Sequence, residues 1–331
     1  MSMRSSIDSP MIKSQHQTDI VLREGDPPSN GGGFKGKKPL LNRVTLGTKR
    51  IKKYRFIRKW LLPDVILGLI LIVLNIPCYY FKPFERQFTI NDISISHPFA
   101  TQERVSDKGL AIYSLVIPII GIIVISLVLS DPRHRYFMLY VSLLGLCMSY
   151  LSAMLVTNFA KNWFGHCRPD FLARCIPREG LQNDVLYTAQ EACTTDNRSR
   201  LLDGFRSTPS GHTSLSLAGL GYLFLWVSGQ LLTARTSVGS WRKAVSFVPL
   251  LGATYIGLSR TQDYRHHLLD VLLGAILGAW MAWWWYRRFF PALDSRLPFK
   301  PLLDDSAVDI DDDEVALPRA DEEMAVHTIA Q

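Results

Sequence analysis

Two long stretches of this chain, residues 109–130 and 136–160, contain no acidic or basic side chain. A helix needs about 20 mostly apolar residues to cross the hydrocarbon core of a bilayer, and each stretch reaches that length. Four further apolar stretches are predicted to cross as well: residues 61–81, 213–234, 244–258 and 268–286. The sequence therefore predicts an all-α, polytopic membrane protein, with six transmembrane helices in a bundle.

The distribution of apolar residues, not their average, carries this prediction. The 331 residues are 47% hydrophobic, which is the range of ordinary soluble domains. A short apolar stretch such as 244–258 is also compatible with a buried core helix, but the chain has no amphipathic helices to bury it against. The first apolar stretch follows a long polar segment. It therefore lacks the layout of a cleaved signal peptide and is expected to remain in the mature protein.

Flanking charge predicts the orientation in the membrane. Residues 35–59 contain many Lys and Arg and no acid, directly before the first predicted span. Such positive flanks stay in the cytosol. Six spans then place both termini in the cytosol and the segments 82–108, 161–210 and 259–267 on the lumenal or extracytoplasmic side. The membrane is expected to be an endomembrane (vacuole, Golgi or ER) or the plasma membrane.

Cysteines and a glycosylation sequon fall on the same predicted side. The sequon is Asn197-Arg198-Ser199. Three of the five cysteines are Cys167, Cys175 and Cys193, and a disulfide between Cys175 and Cys193 is one interpretation. The other is that all five are free thiols.

Three regions follow from this pattern. Residues 1–60 are predicted to form a disordered, basic cytosolic region, and 61–286 the membrane domain. Residues 287–331 are predicted to form a disordered, acidic cytosolic tail. Neither terminal region has enough apolar surface to fold alone.

Polar residues suited to chemistry gather in three segments at the predicted lumenal ends of the spans. The segment KNWFGHCRP, residues 161–169, presents two fixed cations, Lys161 and Arg168. Two such cations indicate an anion site, although a solvated interfacial loop would also explain them. The segment TPSGH, residues 208–212, directly precedes a span. There Ser210 and Gly211 let backbone N–H groups approach an anion. A simple turn into a helix is the alternative.

The third segment, SRTQDYRHHLLD, covers residues 259–270. It places His266 and Asp270 four residues apart, on one face of a starting helix, as an imidazole and an orienting carboxylate. The alternative is that Asp270 interacts only with the helix dipole. A membrane transporter remains a rival class, but transporter sites lie near the bilayer midplane, whereas these residues lie at one end of the spans.

Together, K-x6-RP, PSGH and SR-x5-H-x3-D resemble the three-part signature of the type 2 phosphatidic acid phosphatase superfamily. The order of the motifs and the apolar stretches are similar to the lipid phosphate phosphatase branch, over residues 61–286. The run RPDFLARC and the charged tails are most similar to the fungal diacylglycerol pyrophosphate phosphatases.

The resemblance implies roles for these residues. His266 would attack phosphorus, Asp270 would orient it, and His212 would protonate the leaving oxygen. The spacing from Ser259-Arg260 favours His266 over His267. The phosphoryl oxygens would be held by Lys161, Arg168, Ser210, Gly211 and Arg260.

The expected function is a metal-independent lipid phosphate phosphatase that acts through a phosphohistidine on diacylglycerol pyrophosphate, phosphatidate and lysophosphatidate. A sphingoid-base phosphate phosphatase of the same fold is the alternative. Three cations can replace a metal electrostatically, because one charge pair at about 4 Å contributes about 4 kcal/mol at an effective dielectric of about 20. No cofactor, metal or nucleic acid is therefore expected, and the partners are membrane lipid phosphates.

Overall fold

A computed structural model describes residues 60–130 and 134–304 of the chain. Within these two ranges the regular structure is helical, with two isolated β-bridges and no strand. The long helices are α1 (Leu62–Tyr80), α2 (Asp107–Leu129) and α3 (Arg135–Phe164). They are followed by the short α4 (Phe171–Cys175), α5 (Ala189–Ala192) and α6 (Arg198–Gly204), and then by the long α7 (Gly211–Gln230), α8 (Ser240–Gln262) and α9 (Leu268–Phe289).

Four of these helices, α1, α2, α3 and α9, are long and apolar enough to cross a membrane. The all-α membrane fold is thereby confirmed, while the number of six spans stays a prediction. Helices α7 and α8 have 20 and 23 residues. The mean hydropathy of these two helices is lower, because α7 begins with Gly-His-Thr-Ser and α8 carries Arg242, Lys243 and Arg260 near its ends.

Helix α7 lies at the centre of the bundle, in contact with α2, α3, α8 and α9. Its small residues, among them Ser214, Ala218 and Gly221, are buried. Small side chains let helix backbones approach closely in a membrane, where there is little hydrophobic driving force between helices. The neighbouring helices therefore pack closely around α7, and their ends lie near the residue at which α7 begins.

A second apolar cluster covers that end of the bundle. It is formed by the short helices and the segment before α2, with Phe88, Phe171 and Phe205 at its centre. The disulfide Cys175–Cys193 joins the ends of α4 and α5, as one interpretation of the sequence predicted. The other three cysteines are free thiols.

The chain continues to pack on the bundle after α9. Phe290 is fully buried. The Leu302 N–H donates to the Phe289 carbonyl at 2.9 Å, and the Gln230 side chain donates to the Phe299 carbonyl at 3.3 Å. The predicted start of the disordered tail, residue 287, therefore precedes a packed segment. The basic residues 1–59 and the acidic tail from residue 305 lie outside the described residues.

Candidate active site

The first predicted segment is shaped by the end of α3. Lys161 lies in the last turn of α3, and Gly165 ends the helix in the left-handed region, with φ of 56°. A Cβ at Gly165 would also lie 2.0 Å from the Phe84 carbonyl oxygen, so no other residue fits there. Beyond this turn the Arg168 N–H donates to the Gly204 carbonyl at 2.8 Å. Lys161 and Arg168 therefore lie on the two sides of the tight turn at Gly165.

The second segment touches both of the others. Ser210 is the N-cap of α7, and its N–H donates to the Asp270 carbonyl at 2.9 Å. A Cβ at Gly211 would lie 3.3 Å from Lys161 Nζ. The ammonium group therefore lies directly over the start of α7, where backbone N–H groups favour an anion.

The third segment links α8 to α9. Arg260 lies in the last turn of α8, and its carbonyl accepts hydrogen bonds from the N–H groups of Arg265 and His266, at 3.0 and 3.4 Å. His267 is the N-cap of α9. This tight turn places His266 between the end of one helix and the beginning of the next.

His266 is the point on which the predicted cations converge. The residue is 3% exposed. Burial holds the pKa of His266 well below its usual range, and the charges of Lys161, Arg168 and Arg260 lower it further. The imidazole is therefore neutral, with a nitrogen lone pair available for attack on an electrophile.

His212 is a second buried imidazole, in addition to His266. Its Nε2 lies 3.1 Å from the Val105 carbonyl oxygen, and 3.7 Å from the carboxylate of Asp107. A carbonyl can only accept, so Nε2 carries a proton. His212 also contributes to the low pKa of His266.

Asp270 binds groups other than His266. Its carboxylate accepts hydrogen bonds from Ser207 Oγ at 2.6 Å and from Thr208 Oγ1. It also accepts from the His267 N–H at 2.9 Å, and lies 3.2 Å from His267 Nδ1. His266 Nδ1 is 4.0 Å from this carboxylate, and is buried without a hydrogen-bond partner among the described residues. The structure brings the pair together without a direct hydrogen bond, so orientation of His266 by Asp270 stays a prediction.

Two acidic residues bind the guanidinium groups of Arg168 and Arg260, and the sequence did not predict either of them. Arg168 donates to Asp203 at 2.8 Å, and Arg260 donates to Glu103 at 3.0 Å. Burial lowers the pKa of Arg168 to about 10, which still leaves it charged at neutral pH. Within residues 60–130 and 134–304, the Nε atoms of both arginines are buried with no acceptor. Buried N–H donors of this kind are a place for an anion.

A third arginine, next to His266, is fixed by a neighbouring network. Arg265 contacts Glu103 at 2.7 Å and Asp170 at 3.4 Å, and lies over the Phe99 ring at 4.4 Å. Asp170 also binds Arg174 through both carboxylate oxygens. The four-residue spacing of Asp170 and Arg174 is the one sequence signal that points to this network.

The chain is similar to known proteins over most of its length. The sequence pattern of the PAP2 superfamily matches residues 142–293. Diacylglycerol pyrophosphate phosphatase 1 of Saccharomyces cerevisiae is 56% identical over 274 residues, which cover 80% of this chain and 95% of that protein. The chain belongs to the PAP2 superfamily. All three predicted segments of this PAP2 chain lie within the matched residues.

Further relatives of this PAP2 chain come from fungi and plants. A probable diacylglycerol pyrophosphate phosphatase 1 of Schizosaccharomyces pombe is 42% identical, covering 68% of this chain and 81% of that protein. Lipid phosphate phosphatase 2 of Arabidopsis thaliana is 32% identical, covering 75% of this chain and 84% of that protein. No solved structure matches the PAP2 chain significantly.

Proposed function

We propose that this chain is a membrane phosphatase that removes the terminal phosphate of diacylglycerol pyrophosphate, phosphatidate and lysophosphatidate, without a metal. The observation that carries the proposal is a buried imidazole, His266, that lies close enough to Lys161, Arg168 and Arg260 for their charges to lower its pKa. The activities named for the fungal and plant relatives support the same reaction and the same class of substrate.

The reaction has two halves. A ring nitrogen of His266 attacks phosphorus, the bond from phosphorus to the leaving oxygen breaks, and protonated His212 donates its proton to that oxygen. A bound phosphate dianion next to His212 favours the imidazolium needed for this step. Water then attacks the phosphohistidine, His212 accepts a proton from the water, and the bond from phosphorus to His266 breaks. Phosphate leaves, and both histidines return to their initial state.

The cations supply the stabilisation that a metal would otherwise provide. The transition state of phosphoryl transfer spreads negative charge over three equatorial oxygens. Lys161 over Gly211, and the arginines held by Asp203 and Glu103, are donors fixed before the substrate arrives. Preorganised donors in a site that excludes water are worth more than the same groups in solution. Ser210 and Gly211 add backbone N–H groups at the beginning of α7.

An apolar groove beside the site supports a lipid substrate. It lies between α1 and α3 and has a volume of about 1190 Å³. Arg86 and Phe164 line this groove, and they also line a smaller cavity of about 440 Å³ whose wall includes Thr208 and Asp270. Acyl chains in the groove would leave the headgroup phosphate at the end of the bundle, near the cation cluster.

The same proposal includes six spans, cytosolic termini and a lumenal or extracytoplasmic site. Its support is that the three segments occupy one end of the helices, under the cluster that contains the Cys175–Cys193 disulfide. Disulfides persist in oxidising compartments and are rare in the cytosol. The basic residues before α1 favour a cytosolic N-terminus.

The proposal is tested by phosphate release from purified protein in detergent, with EDTA present. We expect release from diacylglycerol pyrophosphate, phosphatidate and lysophosphatidate at rates that the chelator does not lower, because the cations of the site replace a metal. A sphingoid-base phosphate in the same panel tests the alternative substrate. Loss of all activity in EDTA, with recovery on adding Mg²⁺, would contradict the metal-free mechanism.

A further inference from the structure

One backbone carbonyl contacts both a proposed phosphate-binding arginine and the proposed general acid. The Val105 carbonyl oxygen lies 3.0 Å from Arg260 Nη1 and 3.1 Å from His212 Nε2. Val105 is buried and precedes α2, outside the three segments that the sequence predicted. The site therefore includes a fourth part of the chain.

The backbone at Val105 is fixed on both sides. The Arg104 N–H donates to the carboxylate of Asp263, the buried residue that follows α8, at 3.0 Å. On the other side, Ser106 caps α2 by accepting a hydrogen bond from the Gly109 N–H at 3.2 Å. The Val105 carbonyl thus keeps one direction. It can accept from Arg260 and His212 at once, because a carbonyl oxygen has two lone pairs.

Glu103, two residues earlier, binds the same arginine. One of its carboxylate oxygens accepts a hydrogen bond from Arg260 Nη1 at 3.0 Å, and the other lies 2.7 Å from Arg265 Nη2. Arg265 is itself held by the Ala100 carbonyl at 3.2 Å. The Glu103 carboxylate is therefore anchored by a second arginine and does not depend on Arg260 alone for its position.

These contacts use both hydrogen atoms of Arg260 Nη1. One points to Glu103 and the other to the Val105 carbonyl. A guanidinium group has five N–H donors in a rigid plane, so fixing Nη1 fixes the direction of the other three, on the edge of Nε and Nη2. Arg174 binds both carboxylate oxygens of Asp170 through the same edge. The corresponding edge of Arg260 is suited to two oxygens of one anion.

We propose that Glu103 is a positioning residue, which turns the Nε–Nη2 edge of Arg260 toward the phosphoryl oxygens and, with the shared Val105 carbonyl, sets the separation between Arg260 and His212. The inference rests on the proposed function. Since Nε2 of His212 donates to Val105, Nδ1 is the nitrogen that donates to the leaving oxygen. That oxygen and those bound by Arg260 belong to one phosphoryl group, so both donors act together only at a fixed separation.

The test is a double-mutant cycle on the full chain in detergent, with phosphate release from diacylglycerol pyrophosphate as the readout. Glu103→Gln keeps the size of the side chain but removes its charge and one acceptor oxygen. We expect kcat to fall by about 10²-fold, the scale of a misplacement of about 1 Å. Arg260→Lys retains a cation but has no planar edge to orient. In that background Glu103→Gln should lower kcat by no more than about threefold, because effects of coupled residues do not add.

Glu85→Gln is the matched control, since Glu85 also pairs with an arginine, Arg198, on an exposed surface. It should have the kcat of wild type. Glu103→Asp keeps the charge but is shorter by one methylene group, and should show the same dependence on Arg260 as Glu103→Gln.

A loss of folded protein would lower kcat by the same factor in both backgrounds. Equal factors would therefore overturn the positioning role, and so would a wild-type kcat in Glu103→Gln. The activity of wild type in the same assay tests the proposed function by itself, so equal factors in an active enzyme count against Glu103 alone.

Discussion

His266→Ala is expected to lower kcat for lipid phosphate hydrolysis by about 10⁴-fold or more, because the nucleophile of the proposed covalent intermediate is lost. Phosphate release from diacylglycerol pyrophosphate, measured in detergent on protein of unchanged thermal stability, checks this. The alanine removes a buried ring without a hydrogen bond to Nδ1, so loss of the fold is not the expected cause.

His267→Ala is the matched control for this variant, since it removes the adjacent imidazole. His267 binds Asp270 and Ser94, not the cations around His266. The helix-capping bond to Asp270 comes from the backbone N–H and is retained. We expect a much smaller decrease than for His266→Ala, because Asp270 keeps its hydrogen bonds to Ser207 and Thr208. An inactive His267→Ala beside an active His266→Ala would exchange the roles assigned to the two histidines.

Gly219→Ala is expected to destabilise the bundle strongly. The π-helical segment Ile112–Val116 of α2 passes so close to α7 that a Cβ at Gly219 would lie 1.7 Å from the Ser114 carbonyl oxygen. That atom belongs to the backbone, so the two helices must separate. Overpacking of this kind costs about 1–3 kcal/mol and occasionally more. Thermal unfolding in detergent should show a lower midpoint and lower phosphatase activity at a given temperature.

Gly221→Ala provides the comparison within the same helix. A Cβ at Gly221 would lie 3.6 Å from the Ala282 Cβ, which is an ordinary contact. Replacing a helical glycine by alanine stabilises a helix by about 0.5–1 kcal/mol when space allows. The midpoint of Gly221→Ala should therefore equal or exceed that of wild type. Equal midpoints for Gly219→Ala and Gly221→Ala would mean that α2 and α7 do not approach each other so closely.

The membrane helices could be predicted because a long uncharged stretch leaves few alternatives. The predicted span 109–130 corresponds to Asp107–Leu129 in the structure, and 136–160 to Arg135–Phe164. Helix α8 was predicted too short, as 244–258 instead of Ser240–Gln262. The charged residues of α8 lie near its two ends. The apolar stretch therefore ends before the helix does.

The cation cluster could be predicted because its members lie in short motifs, whereas their acidic partners do not. Glu103 and Arg260 are 157 residues apart, and Asp203 and Arg168 are 35 apart. Such pairs form only when the helices are assembled, so local spacing cannot indicate them. The sequence also could not show that the Asp270 carboxylate has several partners at once. One carboxylate caps α9, binds two hydroxyl groups and lies next to both His266 and His267.

The most direct test of the central claim is to trap the phosphorylated enzyme. Wild type is mixed with diacylglycerol pyrophosphate labelled in its terminal phosphate, quenched rapidly in alkali, in which phosphohistidine survives, and digested for peptide mapping. The label is expected on the peptide that contains His266, and is expected to be absent from His266→Ala. Label on a different residue, or rapid hydrolysis by His266→Ala, would contradict His266 as the nucleophile.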